Sequence, residues 1–233
     1  FDFVEMSIDE SDWRFARLDW GSKERNALLQ DMADTGVSIN SMCLSIQRRF
    51  PLGSSSASTR RQSLDILKKA IDLALAAHIK VILVPGYDVF YEESDDGTQA
   101  RFLEGLKLAE TLAAQACIML ALENTDRYVT SIRHALWTIN QINSPWFQLY
   151  GDVGNLVAVE LDVLQELDAG KGRFAGIHMK DTLPDQFRSV PFGGGNVPFK
   201  KVFRKLSEID FHGPITLEMW NNANMPPLDT LKR

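Results

Sequence analysis

Four metal-capable side chains stand at the ends of four successive apolar runs. Ile118-Met119-Leu120-Ala121-Leu122 leads into Glu123, and Phe147-Gln148-Leu149-Tyr150-Gly151 leads into Asp152. Ala175-Gly176-Ile177 leads into His178, and Ile215-Thr216-Leu217 leads into Glu218. A single carboxylate at a strand end commonly caps the next helix or faces solvent. Four such groups at consecutive strand ends are another matter, because parallel strands point their C-terminal ends the same way and bring the groups together. Three carboxylates and an imidazole at close quarters repel one another, and one divalent cation removes the conflict. An oxygen-rich set with one nitrogen suits Zn²⁺, Mn²⁺, Mg²⁺ or Co²⁺.

A second set of residues could hold an anion. Arg48-Arg49 follows the run that ends at Ile46, and Lys180 lies two residues past His178. Gly193-Gly194-Gly195 precedes a helical stretch, and a glycine turn there can offer backbone N–H groups to a phosphate; as a plain flexible loop it would offer nothing. Glu5 and Asp88, also at strand ends, could bind substrate hydroxyls. Asn155 could reach a ligand or merely cap a helix. His78, His134 and His212 read as surface or turn residues, and Trp220 as a wall beside Glu218.

The elements that position these groups alternate. Apolar runs at 1–7, 37–46, 80–84, 118–122, 147–150, 174–179 and 214–219 are separated by stretches of helical period at 22–35, 60–77, 98–116, 130–143, 159–169 and 200–209. Ser22 reads as the cap of the first helix and Gly36 as its stop. Leu64, Leu67, Ile71 and Leu75 read as the apolar face of the second. Ser54–Ser58 reads as a loop. This order implies parallel βα units. No dinucleotide-type glycine fingerprint follows the early runs. The expectation is an α/β TIM (β/α)8 barrel, one domain over 1–233, lacking a first βα unit before Phe1 and the end of its last helix at Leu231-Lys232-Arg233.

With 45% hydrophobic and 24% charged residues, the composition is that of a soluble enzyme. A net charge of −6 argues against a nucleic-acid surface. No apolar run is long enough for a membrane span and no signal peptide is visible, so the expected compartment is the cytoplasm. Cys43 and Cys117 read as buried reduced thiols.

Several segments carry a family resemblance: Phe3-Val4-Glu5-Met6-Ser7, Arg48-Arg49-Phe50-Pro51-Leu52-Gly53, Trp146-Phe147-Gln148-Leu149-Tyr150, Asp152-Val153-Gly154-Asn155, His178-Met179-Lys180-Asp181-Thr182 and Leu217-Glu218-Met219-Trp220. Together they resemble the bacterial L-xylulose/L-ribulose 5-phosphate 3-epimerases of L-ascorbate utilisation, within the xylose-isomerase-like barrels. The resemblance implies a metal on Glu123, Asp152, His178 and Glu218, a sugar-phosphate substrate and a homodimer. It implies 3-epimerisation of a ketopentose 5-phosphate by two-base proton transfer through an enediolate, with Glu123 and Glu218 as the two bases. Lys180, Arg48, Arg49, Asn155, Glu5, Gly193 and Gly194 are the expected substrate contacts. The rival readings are an aldose–ketose isomerase on the same metal, a metal-dependent phosphodiesterase, and a non-catalytic sugar-phosphate binder.

Overall fold

The computed structural model describes residues 1–220, so the expected helix around Leu231–Arg233 lies outside the described residues. The elements in chain order are β1 (Phe3–Ser7), α1 (Asp12–Phe15), α2 (Ser22–Thr35), β2 (Ser38–Cys43), α3 (Ala57–Ala76), β3 (Val81–Pro85), α4 (Thr98–Gln115) and β4 (Met119–Glu123). Then come α5 (Ile132–Ile142), β5 (Phe147–Asp152), α6 (Val153–Ala158), α7 (Val163–Ala169), β6 (Phe174–Met179), β7 (Asp181–Leu183), β8 (Gln186–Val190), α8 (Phe199–Glu208) and β9 (Ile215–Leu217). Seven strands form one sheet in the order β1-β2-β3-β4-β5-β6-β9, and β7-β8 form a separate antiparallel hairpin. Its contacts divide the chain into two compact units.

The first unit comprises Phe1–Leu122 and Thr138–Gln148. Here β1 pairs with β2 and β2 with β3, both parallel. All five residues of β3 are buried, as a strand covered on both faces requires. Helix α3 starts three residues earlier than its periodicity suggests, because the Ser56 hydroxyl accepts the Thr59 N–H at 3.3 Å and caps it. Ser58 is therefore helical, not loop. The buried face of α3 is Ile66, Leu67, Ala70, Ile71, Leu73 and Ala74, while Leu64 is half-buried and Leu75 exposed. The expected stripe was centred about one residue off. Each fully buried Leu or Ile on that face contributes roughly 1.5–3 kcal/mol.

Helix α2 is capped by Gly21 rather than Ser22, since Glu24 reaches back to accept the Gly21 N–H at 3.0 Å. It ends as expected at Gly36, whose φ of 68° closes the last turn. The second apolar run is strand only to Cys43; Ser45–Arg48 is a 3-10 turn. Cys43 is half-buried, but Cys117 is exposed in a left-handed turn at φ 55° between α4 and β4, contrary to the buried reading.

The second unit comprises Glu123–Trp137 and, of the described residues, 149–220. Strand β5 pairs parallel with β6, and β6 with β9. The helix read over 159–169 is α7 alone, which starts four residues later, and a separate short helix, α6, precedes that stretch. Asp152 caps α6 by accepting the Asn155 N–H, the chain breaks at Glu160 with φ 59°, and Asp162 caps α7 by accepting the N–H groups of Leu164 and Gln165. The β7–β8 hairpin, with Asp185 in a left-handed turn at φ 59°, was not expected.

Candidate metal centre

The second unit contains the four residues singled out by their strand-end positions. Glu123 closes β4, Asp152 closes β5, His178 lies in β6, and Glu218 follows β9. Register explains why they meet. Asp152 pairs with His178 across β5 and β6, His178 pairs with Thr216, and the Glu218 N–H donates to the Met179 carbonyl at 2.8 Å. One ligand atom from each of Glu123, Asp152, His178 and Glu218 lies within 4.8 Å of the others. Glu123, Asp152 and His178 are buried and Glu218 is half-buried.

Neighbouring groups hold each ligand in place. His178 Nδ1 lies 2.8 Å from Glu123 Oε1. The Tyr150 ring meets the imidazole edge-on at 4.7 Å between centroids, and the Tyr150 hydroxyl is 3.0 Å from Thr216 Oγ1. At the end of β5, Asn124 works as a hook. Its Oδ1 accepts the Asp152 N–H at 2.8 Å, its Nδ2 donates to the Asp152 carbonyl at 3.0 Å, and its own carbonyl accepts from Asn155 Nδ2 at 2.8 Å. Asn155 thus donates its N–H to the Asp152 cap and braces the ligand loop through its side chain. The hook role of Asn124 had no sequence signal except an amide directly after a strand-end ligand.

Lys180 is the fifth member of the cluster. Its Nζ lies 2.6 Å from Asp152 Oδ2 and 2.8 Å from Glu218 Oε2, and 5.4 Å from the centre of the Trp220 ring. Its stem packs on α6 at Gly154, where a Cβ would run into the Lys180 side chain; only glycine allows this approach. The expected phosphate-facing lysine is therefore engaged internally, and Trp220 does flank the cluster.

The electrostatics follow from burial and crowding. Burial drives the Glu123 carboxyl above its ordinary range, and Asp152 and Glu218 add to the rise while His178 opposes it. Asp152 is likewise raised by burial, with Lys180 opposing and Glu218 reinforcing. For Glu218, burial is outweighed by Lys180 and His178, and its pKa is lowered. Burial would discharge Lys180, but Asp152, Glu218 and Glu123 outweigh it and raise its pKa.

The cluster fits a cation on one specific observation. Asp152 Oδ2 is fully buried and accepts no hydrogen bond. Lys180 faces it as an ion pair at 2.6 Å. A buried carboxylate oxygen in that state is what a metal ion completes.

The glycine loop does something other than expected. The Gly193 and Gly195 N–H groups both donate to Asp181 Oδ2, at 2.8 and 2.9 Å. The Gly194 N–H donates to the Pro191 carbonyl at 2.9 Å. The Thr182 and Val197 N–H groups donate to Asp181 Oδ1. The backbone groups proposed for a phosphate are thus taken by a buried carboxylate of the same chain, which local sequence did not indicate.

Glu5, Arg48 and Arg49 belong to the first unit. Glu5 accepts from the Ser41 hydroxyl at 2.6 Å. Arg48 lies over the Tyr87 and Phe90 rings with Glu10 at 3.7 Å, and Arg49 is exposed over Phe50. Asp88 accepts the Val89 N–H and the Ser94 hydroxyl. His134 packs edge-on to Tyr128 and near Trp137, and His212 pairs with Asp210 in the open, as structural histidines do.

A parallel sheet alternating with helices, with an acidic and histidine cluster at its strand ends, describes a known class. A family model for xylose isomerase-like TIM barrels matches residues 1–233, and the chain belongs to that family. Within it, the chain is 47% identical over 228 residues to the L-ribulose-5-phosphate 3-epimerase UlaE of Salmonella paratyphi A, covering 97% of this chain and 80% of that protein. The same figures hold for the protein of that name from Salmonella typhimurium. Among solved structures, a D-tagatose 3-epimerase-like protein aligns with a TM-score of 0.84 at 18% identity over 100% of this chain and 85% of that one. A structure of L-ribulose 3-epimerase aligns with a TM-score of 0.76 at 17% identity over 100% of this chain and 75% of that one. At those identities the likeness concerns the fold alone.

Proposed function

We propose that this chain is a metal-dependent 3-epimerase that interconverts L-ribulose 5-phosphate and L-xylulose 5-phosphate. The observation that carries the reading is the Glu123–Asp152–His178–Glu218 cluster, in a chain 47% identical over 97% of its length to L-ribulose-5-phosphate 3-epimerases. Asp152 and His178 serve as ligands. Glu123 and Glu218 serve as ligands and as the two proton-transfer groups. They come from different strands, so one can take the C3 proton from one face while the other supplies a proton to the opposite face. A divalent metal of the zinc, manganese, magnesium or cobalt class, when bound, supplies Lewis-acid polarisation of the ketose carbonyl. Lys180 orients Asp152 and Glu218 and limits their mutual repulsion. Two carboxylates flanking one carbon let it pass through its enediolate form with no redox cofactor. By its resemblance, the reading includes a single domain, a cytoplasmic homodimer and a place in L-ascorbate utilisation.

The test is proton exchange at C3 in deuterium oxide with the metal-loaded protein. Glu123→Gln and Glu218→Gln should each abolish incorporation of deuterium. Wild-type exchange in either variant would end the two-base scheme. Chromatography of the products separates this reaction from an aldose–ketose isomerisation, which would move hydrogen between C1 and C2.

A further inference from the structure

An asparagine amide carries an acceptor and a donor side by side, the same pair that a strand residue presents along its backbone. Asn124 spends both on one residue. Its Oδ1 accepts the Asp152 N–H at 2.8 Å, and its Nδ2 donates to the Asp152 carbonyl at 3.0 Å. Asp152 is extended there, at φ −101° and ψ 107°, so its N–H and carbonyl face the amide together. The side chain thus stands in for a partner strand at the point where β5 ends.

The amide is itself held. Asn155 Nδ2 donates to the Asn124 carbonyl at 2.8 Å, while the Asn155 N–H donates to Asp152 Oδ1 at 2.9 Å. Beyond Asn124 the loop closes on itself. The Thr125 N–H donates to the Val129 carbonyl at 2.7 Å, and the Thr125 hydroxyl donates to the Arg127 carbonyl at 2.9 Å. Asn124, Asp152 and Asn155 are all buried, so a lost partner is not simply replaced by solvent.

Together these bonds take up the N–H, the carbonyl and Oδ1 of Asp152. Only Oδ2 remains, facing Lys180 in the carboxylate cluster. Asn124 also follows Glu123 directly in the chain, so the residue next to one ligand fixes another. A ligand that is already aimed loses little conformational freedom when the metal binds.

We propose that Asn124 is a positioning residue of the metal centre. By clasping the Asp152 backbone, with Asn155 as its brace, it holds Oδ2 toward the cluster and sets the affinity for a divalent metal. The inference rests on the proposed metal-dependent reading and involves no substrate group.

The test is equilibrium dialysis of the Mn²⁺-loaded full chain against graded free Mn²⁺, at a temperature where circular dichroism shows each variant folded. Asn124→Leu keeps the approximate size of the side chain and removes both of its hydrogen bonds. It should raise the dissociation constant about 10- to 100-fold. Asn155→Ala keeps the clasp but removes its brace, and should raise the constant by a smaller factor. Thr98→Val controls for loss of stability alone. It removes a buried hydroxyl of the first unit that accepts the Asp95 N–H, and should leave the constant unchanged. A wild-type constant in Asn124→Leu, or an equal rise in Thr98→Val, overturns the proposal. If Asn124→Leu does not fold, Asn155→Ala decides: a raised constant supports the clasp, and a wild-type constant overturns it. Binding is read without substrate. A wild type that holds Mn²⁺ but epimerises nothing therefore refutes the proposed activity alone, whereas a wild type that holds no Mn²⁺ overturns this proposal as well.

Discussion

Lys180→Met isolates the role of the buried ammonium at the cluster. In the folded chain Lys180 Nζ faces Asp152 Oδ2 at 2.6 Å and Glu218 Oε2 at 2.8 Å, with the lysine and aspartate side chains almost wholly buried. Removing one partner of a buried pair costs about 3–5 kcal/mol, because the remaining charge is left in a poor dielectric. For a chain of this size that corresponds to a fall in Tm of about 6–20 °C. The remaining carboxyls can relieve part of the cost by taking up protons. Asp152 is already raised by burial, and losing Lys180 removes the main group that opposes the rise. A carboxyl whose folded pKa is raised stabilises the fold at low pH and loses that contribution as pH rises above its unfolded value. The Lys180→Met penalty should therefore be largest near pH 8 and shrink toward pH 5. A divalent metal supplies the missing positive charge directly, so the variant should gain more Tm from metal than the wild type does. The assay is thermal unfolding by circular dichroism in EDTA and in excess Mn²⁺, at pH 5 and pH 8. A variant that melts within about 2 °C of wild type in EDTA at pH 8 would refute the account of the buried pair. So would a deficit that does not change with pH or metal.

Metal binding should release protons, because burial keeps Glu123 and Asp152 more protonated in the metal-free protein than free carboxyls would be. Affinity should therefore rise with pH above the ordinary carboxylate range; calorimetry in two buffers of different ionisation heat would read the release, and zero release would contradict it. Asp181→Asn removes the charge that collects four backbone donors, each such bond being worth about 1.5–3 kcal/mol. Amide exchange at Gly193, Gly195 and Val197 should then quicken about tenfold or more, and unchanged exchange would show that the carboxylate is not the clamp. Gly154→Ala places a methyl against the Lys180 stem and should cost about 1–3 kcal/mol. The part due to the stem should vanish when Lys180 is also shortened to Ala, while the contacts with the Lys180 carbonyl and Thr182 Cγ2 remain, and strict additivity in the double-mutant cycle would reject the stem as a cause.

The parts legible in the sequence were those written as local pattern. A strand buried on both faces must be apolar throughout, so Val81–Val84 and Leu120–Leu122 stand out, and a charged residue at the end of such a run marks a strand terminus. Four such termini were enough to name the cluster. What was hidden is chemistry between residues that no period connects. Asp152 has two tasks, ligand and helix cap, and the first masked the second, so the six residues of α6 were missed. The glycine loop looked free because its acceptor, Asp181, lies 12 and 14 residues before Gly193 and Gly195. The β7–β8 hairpin has a three-residue strand and a mostly exposed partner, too short and too polar to leave a periodic trace. Yet one regularity joins the halves. Along His178-Met179-Lys180-Asp181, alternate residues leave an extended chain on opposite sides. His178 and Lys180 enter the carboxylate cluster, while Asp181 turns away to clamp the loop. Four consecutive residues thus tie the metal ligands to the β7–β8 hairpin.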